Sequence, residues 1–435
     1  MFRYMTVINT RVAARTSANP VTRWDHADLV RRVVDVLDLA LRMVRSVAET
    51  SSSRLAATPD LAVGLLREKV VSETAMLLLC VEPRCGYDVR IRDRFETLGA
   101  LLAPLARHDD VIAAISLDPV HARDHAIGHI ILSHLGYPDP RVDALLERTL
   151  AMSPTVGPER LPHGALEQAW LQRLCDIVES PTRRTAALVA DSALGRPMDT
   201  LGSTRADISA FTQAVMYASD FGRREIVGPR SHAAIVADAD AALAYSLDAN
   251  DFDLTAEVLV TWPMLGLAWS PAATFAFSIL ANLQDALGFL PGLVCGETLY
   301  HSRAAAYPSR SALRTSCHSS YVMGMLCAAA LAPGCEPPAA VRPARHGRGA
   351  TAALLALIGG ERIDSCWVAP LRALAPDQQD SVAQLLLGIV LRRAATRGNL
   401  KLVQSALQVA LAFDLIDGPA PSQAAALLRR TQSMG

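Results

Sequence analysis

Two stretches of this chain carry no formally charged residue over lengths that a helix can sustain only if it is covered on every side: Val258–Gln284 and Ser316–Cys335. A half-exposed helix would show a polar stripe every 3.6 residues, and a half-exposed strand would alternate. Neither stretch does. The first is interrupted by Pro263 and Pro271 and carries Thr, Ser, Asn and Gln, while the second holds Cys317-His318 and several serines. A membrane span needs about 20 predominantly apolar residues. The expectation is therefore helices buried all round inside a large α-helical protein.

The rest of the chain agrees with that class. Apolar residues make up 51% of the 435 positions and aromatic ones only 5%, so the core is built from Ala, Leu and Val, which suits helix–helix packing. Periodicity and caps predict roughly fifteen helices and no strand. Asp25–Glu49 opens the series. Asp118-Pro119 starts a helix expected to run to Leu135-Gly136, Asp253–Leu267 starts from an acidic cap, and Ala375–Arg393 lies near the end. No repeat period emerges. The fold class read from this pattern is all-α, with stacked helical hairpins forming an α/α toroid or an irregular α-solenoid. The expected division is a flexible arm over 1–24, a main helical domain over 25–335, a linker over 336–349, and C-terminal helices over 350–435 packed on the main domain. Phe289–Pro308 reads as a long irregular loop.

A net charge of −1 gives no basic footprint for nucleic acid and no polybasic membrane surface. The eight cysteines form no CxxC pair, and the N-terminus lacks the apolar run of a signal peptide. Reduced thiols and a cytoplasmic location are expected.

Chemistry is concentrated in a few places. Thr204–Arg224 reads as one helix with a capping box at Thr204 and Asp207 and a buried stripe at Ile208, Phe211, Val215 and Ala218. Gln213, Tyr217 and Asp220 fall on a second face, which is either solvated or the wall of a cavity. His121, His125 and His129 stand four apart, a spacing that lets imidazoles share a metal ion, although no HExxH is present. Asp253 and Glu257 sit one turn apart, where they complement the helix dipole or, for Glu257, face a cavity as a base or ligand. Glu73 reads as a solvated or locally paired charge. No nucleophile elbow and no phosphate loop is found.

The segment Thr212-Gln213-Ala214-Val215-Met216-Tyr217-Ala218-Ser219-Asp220-Phe221-Gly222 resembles a Thr-His-x-x-x-Tyr-x-Thr-Asp-Phe-Gly signature. That signature marks an actinobacterial family of helical proteins often encoded in natural-product and modified-peptide gene clusters. Gly128-His129, Glu167, Trp170, Asp285 and His318 with Tyr321 extend the resemblance across roughly residues 60 to 335. Gln213 departs from it by replacing the histidine with an amide that cannot take a proton as imidazole does. Cys295 with Cys317-His318 is similar in chemistry to the zinc ligands of lanthionine cyclases, though its flanking residues differ. The resemblance implies a specialised-metabolism protein that binds a peptide or small biosynthetic intermediate and carries out a cyclisation or proton-transfer step. His129, His318, Asp220 and Glu257 are the expected catalytic residues, with Gln213 and Tyr217 binding substrate. No cofactor is expected and no metal is assigned, with the His121/His125/His129 and Cys295/Cys317/His318 sets left open. Expected partners are the intermediate, a biosynthetic partner protein or a second copy forming a homodimer, with no nucleic acid and no membrane. The alternative is a non-catalytic helical scaffold that binds a precursor peptide or another enzyme.

Overall fold

The structure is a computed structural model that describes residues 24–52, 61–152, 159–175, 181–292, 310–343, 349–358 and 365–432. Among these residues every regular element is a helix. In chain order they are α1 (His26–Ser52), α2 (Leu61–Val81), α3 (Val89–Leu105), α4 (Asp109–Leu117), α5 (Ala122–His125), α6 (Ile127–His134) and α7 (Pro140–Met152). Next come α8 (Pro162–Leu174), α9 (Pro181–Asp191), α10 (Arg205–Ala218), α11 (His232–Asp248), α12 (Phe252–Leu259), α13 (Thr261–Leu265), α14 (Pro271–Leu287) and α15 (Arg310–Ala330). The series closes with α16 (Ala350–Ile358), α17 (Val368–Ala373), α18 (Pro376–Ser381), α19 (Ala383–Thr396), α20 (Leu400–Ala412) and α21 (Pro419–Gln432). Among the described residues no helix is long and apolar enough to cross a membrane.

The uncharged stretch Ser316–Cys335 supplies the centre. Helix α15 packs against α1, α2 and α12. Every residue from Ser316 to Ala330 is buried except His318. Gly324 lets these helices approach closely: a Cβ there would stand 2.7 Å from Val36 of α1 and 3.0 Å from Leu77 of α2. The other uncharged stretch is divided among three helices. Val260 separates α12 from α13, and Gly266, left-handed at φ 63°, ends α13 before Ser270 caps α14. Arg32, 1% exposed, ties α1 to the end of α14 by donating to Gln284 Oε1 at 2.9 Å and Asp285 Oδ2 at 2.8 Å.

The C-terminal helices rest on the main body. Arg393 of α19 clamps the Asp248 carboxylate at the end of α11 with two charge-assisted hydrogen bonds, the Nε one at 2.7 Å, and the Cys366 backbone N–H donates to Asn250 at 2.7 Å.

Several boundaries differ from the sequence expectation. The helix expected from Asp118 to Gly136 is three pieces: a 3-10 turn over Pro119–His121, then α5, then α6. Ala126 leaves helical geometry at φ −88°, ψ 1°, and Asp118 draws both His121 and His125 onto its own carboxylate. The long helix 375–393 breaks at Val382. Helices α4 and α17 add to the expected set. The expected Thr204–Arg224 helix stops at Ala218, and Asp220, Phe221 and Gly222 follow in left-handed conformation. Of the expected N-terminal arm only Trp24 is described, and it is buried against Phe277. Most of the expected loop 289–308 lies outside the described residues.

Candidate functional site

Helix α12 begins with Asp251, whose side chain accepts from the Leu254 N–H and caps the first turn. Asp253 and Glu257, four residues apart, then share one face of that helix. Both are buried, at 8% and 5% exposure. Helix α15 places His318 against them, with Nε2 3.6 Å from Asp253 Oδ1 and 3.4 Å from Glu257 Oε1. On the other side of the ring, Nδ1 lies 3.0 Å from Glu73 Oε1 of α2. His318 is thus the one incompletely buried position of the Ser316–Ala330 run, with its side chain 36% exposed.

Helix α10 closes the site from the opposite side. Arg205 donates to Asp251 Oδ2 at 2.8 Å and to Asp253 Oδ2 at 2.9 Å. Thr212 and Ser209 hydroxyls donate to Glu257 Oε2 at 2.8 and 3.3 Å. Burial opposes a charge on His318, but hydrogen bonds to Glu257 and Glu73 and the charges of Asp253 and Glu73 outweigh it, raising its pKa to about 11. Burial likewise raises the Asp253 carboxyl; His318 and Arg205 pull it back down while Glu257 and Asp251 add to the rise. Four carboxylates, Glu73, Asp251, Asp253 and Glu257, thus gather around one imidazole and one guanidinium.

An open cleft of about 780 Å³ lies along α10, between it, the start of α8 and the segment after α9. Arg205, Ser209, Ala210 and Gln213 form its α10 wall. Arg196, His163, Asp191, Asp199 and Asp207 also line it, so it offers both signs of charge. Arg205 and Ser209 belong to the cleft wall and also bond the buried carboxylates.

The other residues expected from sequence take different positions. Gln213 is on the cleft wall, its Nε2 3.4 Å from Ser209 Oγ. Tyr217 is buried and donates to Glu167 Oε1 at 2.7 Å; burial and Glu167 hold its phenol far above the ordinary range. Asp220 accepts from Trp170 Nε1 at 2.8 Å, and Trp170, Tyr217 and Phe221 pack as an aromatic group, so Asp220 fastens a turn. His129 is fully buried, with Nε2 2.8 Å from Asp143 and Nδ1 accepting from Arg107 Nε at 3.1 Å. Both its nitrogens are engaged away from the Asp253–Glu257–His318 cluster. His121 and His125 meet on Asp118 rather than sharing a centre with His129. Cys295 lies outside the described residues. Cys317 is a buried thiol pushed up to about 11 by burial, while His318 turns to the carboxylates.

Glu73, Asp253, Arg205, Ser209 and Thr212 escaped the sequence reading as site residues. The i, i+4 spacing of Asp253 and Glu257 carried a usable signal. Glu73 did not, because a glutamate beside Lys69 reads as a surface charge; here Lys69 Nζ is 3.7 Å from Glu73 Oε1 while the same oxygen meets His318.

A family model described as "Domain of unknown function (DUF6895)" matches residues 34–328, more than half of the chain and all of the cluster just described. No curated protein and no solved structure matches.

Proposed function

The chain belongs to the DUF6895 family, a domain of unknown function, and from the site within that match we propose that it binds a peptide or small biosynthetic intermediate in the α10 cleft. The adjoining carboxylate–imidazole cluster serves a cyclisation or proton-transfer step of specialised metabolism on what is bound. The observation that carries this reading is that Arg205 and Ser209 wall the cleft and also bond Asp253 and Glu257. A ligand contacting these two side chains is one hydrogen bond away from the buried acids. The cleft volume falls in the range of small-ligand sites, and its mixed charge suits a molecule bearing both an amine and a carboxylate. Gln213 offers an amide donor and acceptor on the same wall, which orients a ligand without exchanging a proton.

The test is native mass spectrometry of the full chain isolated from its own producing cells. The expected result is a co-purifying small molecule or peptide at one per chain, lost in Ala210→Trp, which fills the cleft without touching the cluster. A stable complex with another protein that survives Ala210→Trp would replace this reading with that of a helical scaffold. Absence of any bound species in the wild type and the variant alike would also overturn it.

A further inference from the structure

Each of the three groups that meet between α12 and α15 has one polar atom already held from outside. Asp253 Oδ2 accepts from Arg205 at 2.9 Å. Glu257 Oε2 accepts from the hydroxyls of Thr212 and Ser209. His318 Nδ1 is 3.0 Å from Glu73 Oε1. What remains are the three inner atoms, Asp253 Oδ1, Glu257 Oε1 and His318 Nε2, linked to one another by a single long hydrogen bond, Nε2 to Glu257 Oε1 at 3.4 Å. All three lie within 4.8 Å of one another. Asp253 Oδ1 is buried and takes part in no hydrogen bond. It points at His318 Nε2 from 3.6 Å, too far for a hydrogen bond.

These separations suit a shared ion. Ligand atoms placed 2.0–2.2 Å from a tetrahedral centre stand about 3.3–3.6 Å apart, and Nε2 is 3.4 and 3.6 Å from the two carboxylate oxygens. We propose that Asp253, Glu257 and His318 bind one divalent transition-metal ion of the zinc type, with Glu73 orienting the imidazole from behind. A metal-bound histidine commonly donates its other N–H to a carboxylate, which fixes the tautomer and the ring plane. Glu73 stands where that partner is needed. Two carboxylates and a neutral imidazole balance the charge of the ion, and the imidazole favours zinc, manganese or cobalt over calcium. Three protein ligands leave a fourth position, and the partial exposure of His318 opens it to solvent. That is the pattern of a reactive metal centre rather than a closed structural one.

The site stands on its own ligands, whatever the cleft holds, so its test is separate from the preceding one. The full chain, stripped with a chelator and dialysed, is titrated with Co²⁺ by visible absorption and with Zn²⁺ by calorimetry and by competition against Co²⁺. The expected result is one ion per chain at micromolar or tighter affinity, with visible bands of low-symmetry four- or five-coordinate cobalt. His318→Ala and the near-isosteric Glu257→Gln each weaken binding at least about 100-fold. Glu73→Gln keeps the stoichiometry and weakens binding about 10- to 100-fold. Circular dichroism of the metal-free variants checks the fold, and Glu257→Gln decides the matter if His318→Ala fails to fold. Lack of a stoichiometric site in the wild type, or cobalt bands that survive in Glu257→Gln at unchanged affinity, would overturn the proposal and leave His318 as a charged imidazolium held by three carboxylates. Cleft binding without metal uptake would remove the ion alone; metal uptake without a cleft ligand would remove the preceding proposal alone.

Discussion

His129 and His318 both lie in well-buried helices, both read from sequence as acid/base residues, and each meets a carboxylate within 3.0 Å, yet their surroundings differ in one respect. At His129 both ring nitrogens have a single well-formed partner, a carboxylate on one side and a guanidinium on the other. A guanidinium can only donate, so Nδ1 carries no proton and the ring is neutral. At His318 one nitrogen is fixed by Glu73, and the other makes a long 3.4 Å hydrogen bond to Glu257 with Asp253 left 3.6 Å away and unbonded. The first histidine is saturated, and the second has a face left over. A buried polar residue with every bond made holds the fold together, whereas one with a surplus of acceptors before it marks a place where something else can bind.

The largest expected consequence of this difference is in stability. His129→Ala removes the acceptor of Arg107 and leaves a small cavity, and should cost about 2–4 kcal/mol in chemical denaturation, with cobalt uptake unchanged. Loss of cobalt uptake in a folded His129→Ala protein would break the comparison. The pH dependence sharpens it. Burial holds the His129 pKa below its ordinary value, against the pull of Asp143. The unfolded chain then binds the proton more readily than the folded one, so the wild type should lose stability as the pH falls through about 6.5, and His129→Ala should lack that component.

Asp240 extends the contrast to carboxylates. The acids around His318 have cations beside them, whereas among the described residues Asp240 is bonded only by the Ser270 hydroxyl, and burial raises its pKa to about 6. Here the folded state holds the proton more tightly than the unfolded one. The stability contribution is present at low pH and is lost as the pH rises from about 4 through about 6. Asp240→Asn keeps an acceptor for Ser270 and should stabilise the protein by about 1–2 kcal/mol at pH 7.5, with the gain vanishing near pH 4. A gain that persists at pH 4 would mean that charge burial is not its source.

A smaller effect is expected where α15 meets α1 and α2. Gly324→Ala gains about 1 kcal/mol of helix propensity but drives a Cβ into Val36, whose branched side chain has little freedom to move. Overpacking of this kind costs about 1–3 kcal/mol, so the net change should be a loss of about 1 kcal/mol by thermal denaturation. A net gain would show that this contact is loose and that the His318 helix is less firmly seated than its burial suggests.

The helical class and the buried stretch around His318 were legible because a charge-free run of that length has few folded solutions. The capping box at Thr204 and Asp207 was legible because it is local. The meeting of Glu73, Asp253, Glu257 and His318 was not, because these residues come from three helices, and their partnership depends on how α2, α12 and α15 cross. The histidine stripe misled for the opposite reason. Its spacing was real, but the turn at Ala126 divides the segment, so His121 and His125 meet on Asp118 while His129 turns away to Asp143 and Arg107. Periodicity reports what a helix would present if it stayed a helix, and polar residues at its start compete for that backbone.

Gln213 brings the comparison down to a single side chain. It occupies the position where the resembling signature carries histidine, on the cleft wall and half-buried, with a long hydrogen bond to Ser209. That long bond is a weak tie, so Gln213→Ala should change stability by less than about 0.5 kcal/mol. Its effect belongs in binding, where removing an amide that orients a ligand weakens retention by the full chain several-fold. Gln213→His restores a titratable ring one turn from Ser209, and so one hydrogen bond from Glu257. If the cleft and the buried acids work together, that variant should show a pH dependence of ligand retention between about pH 6 and 7 beyond the one His163 of the cleft gives the wild type. A Gln213→His profile that matches the wild type would separate the cleft from the cluster and confine the chemistry to His318 and its carboxylates.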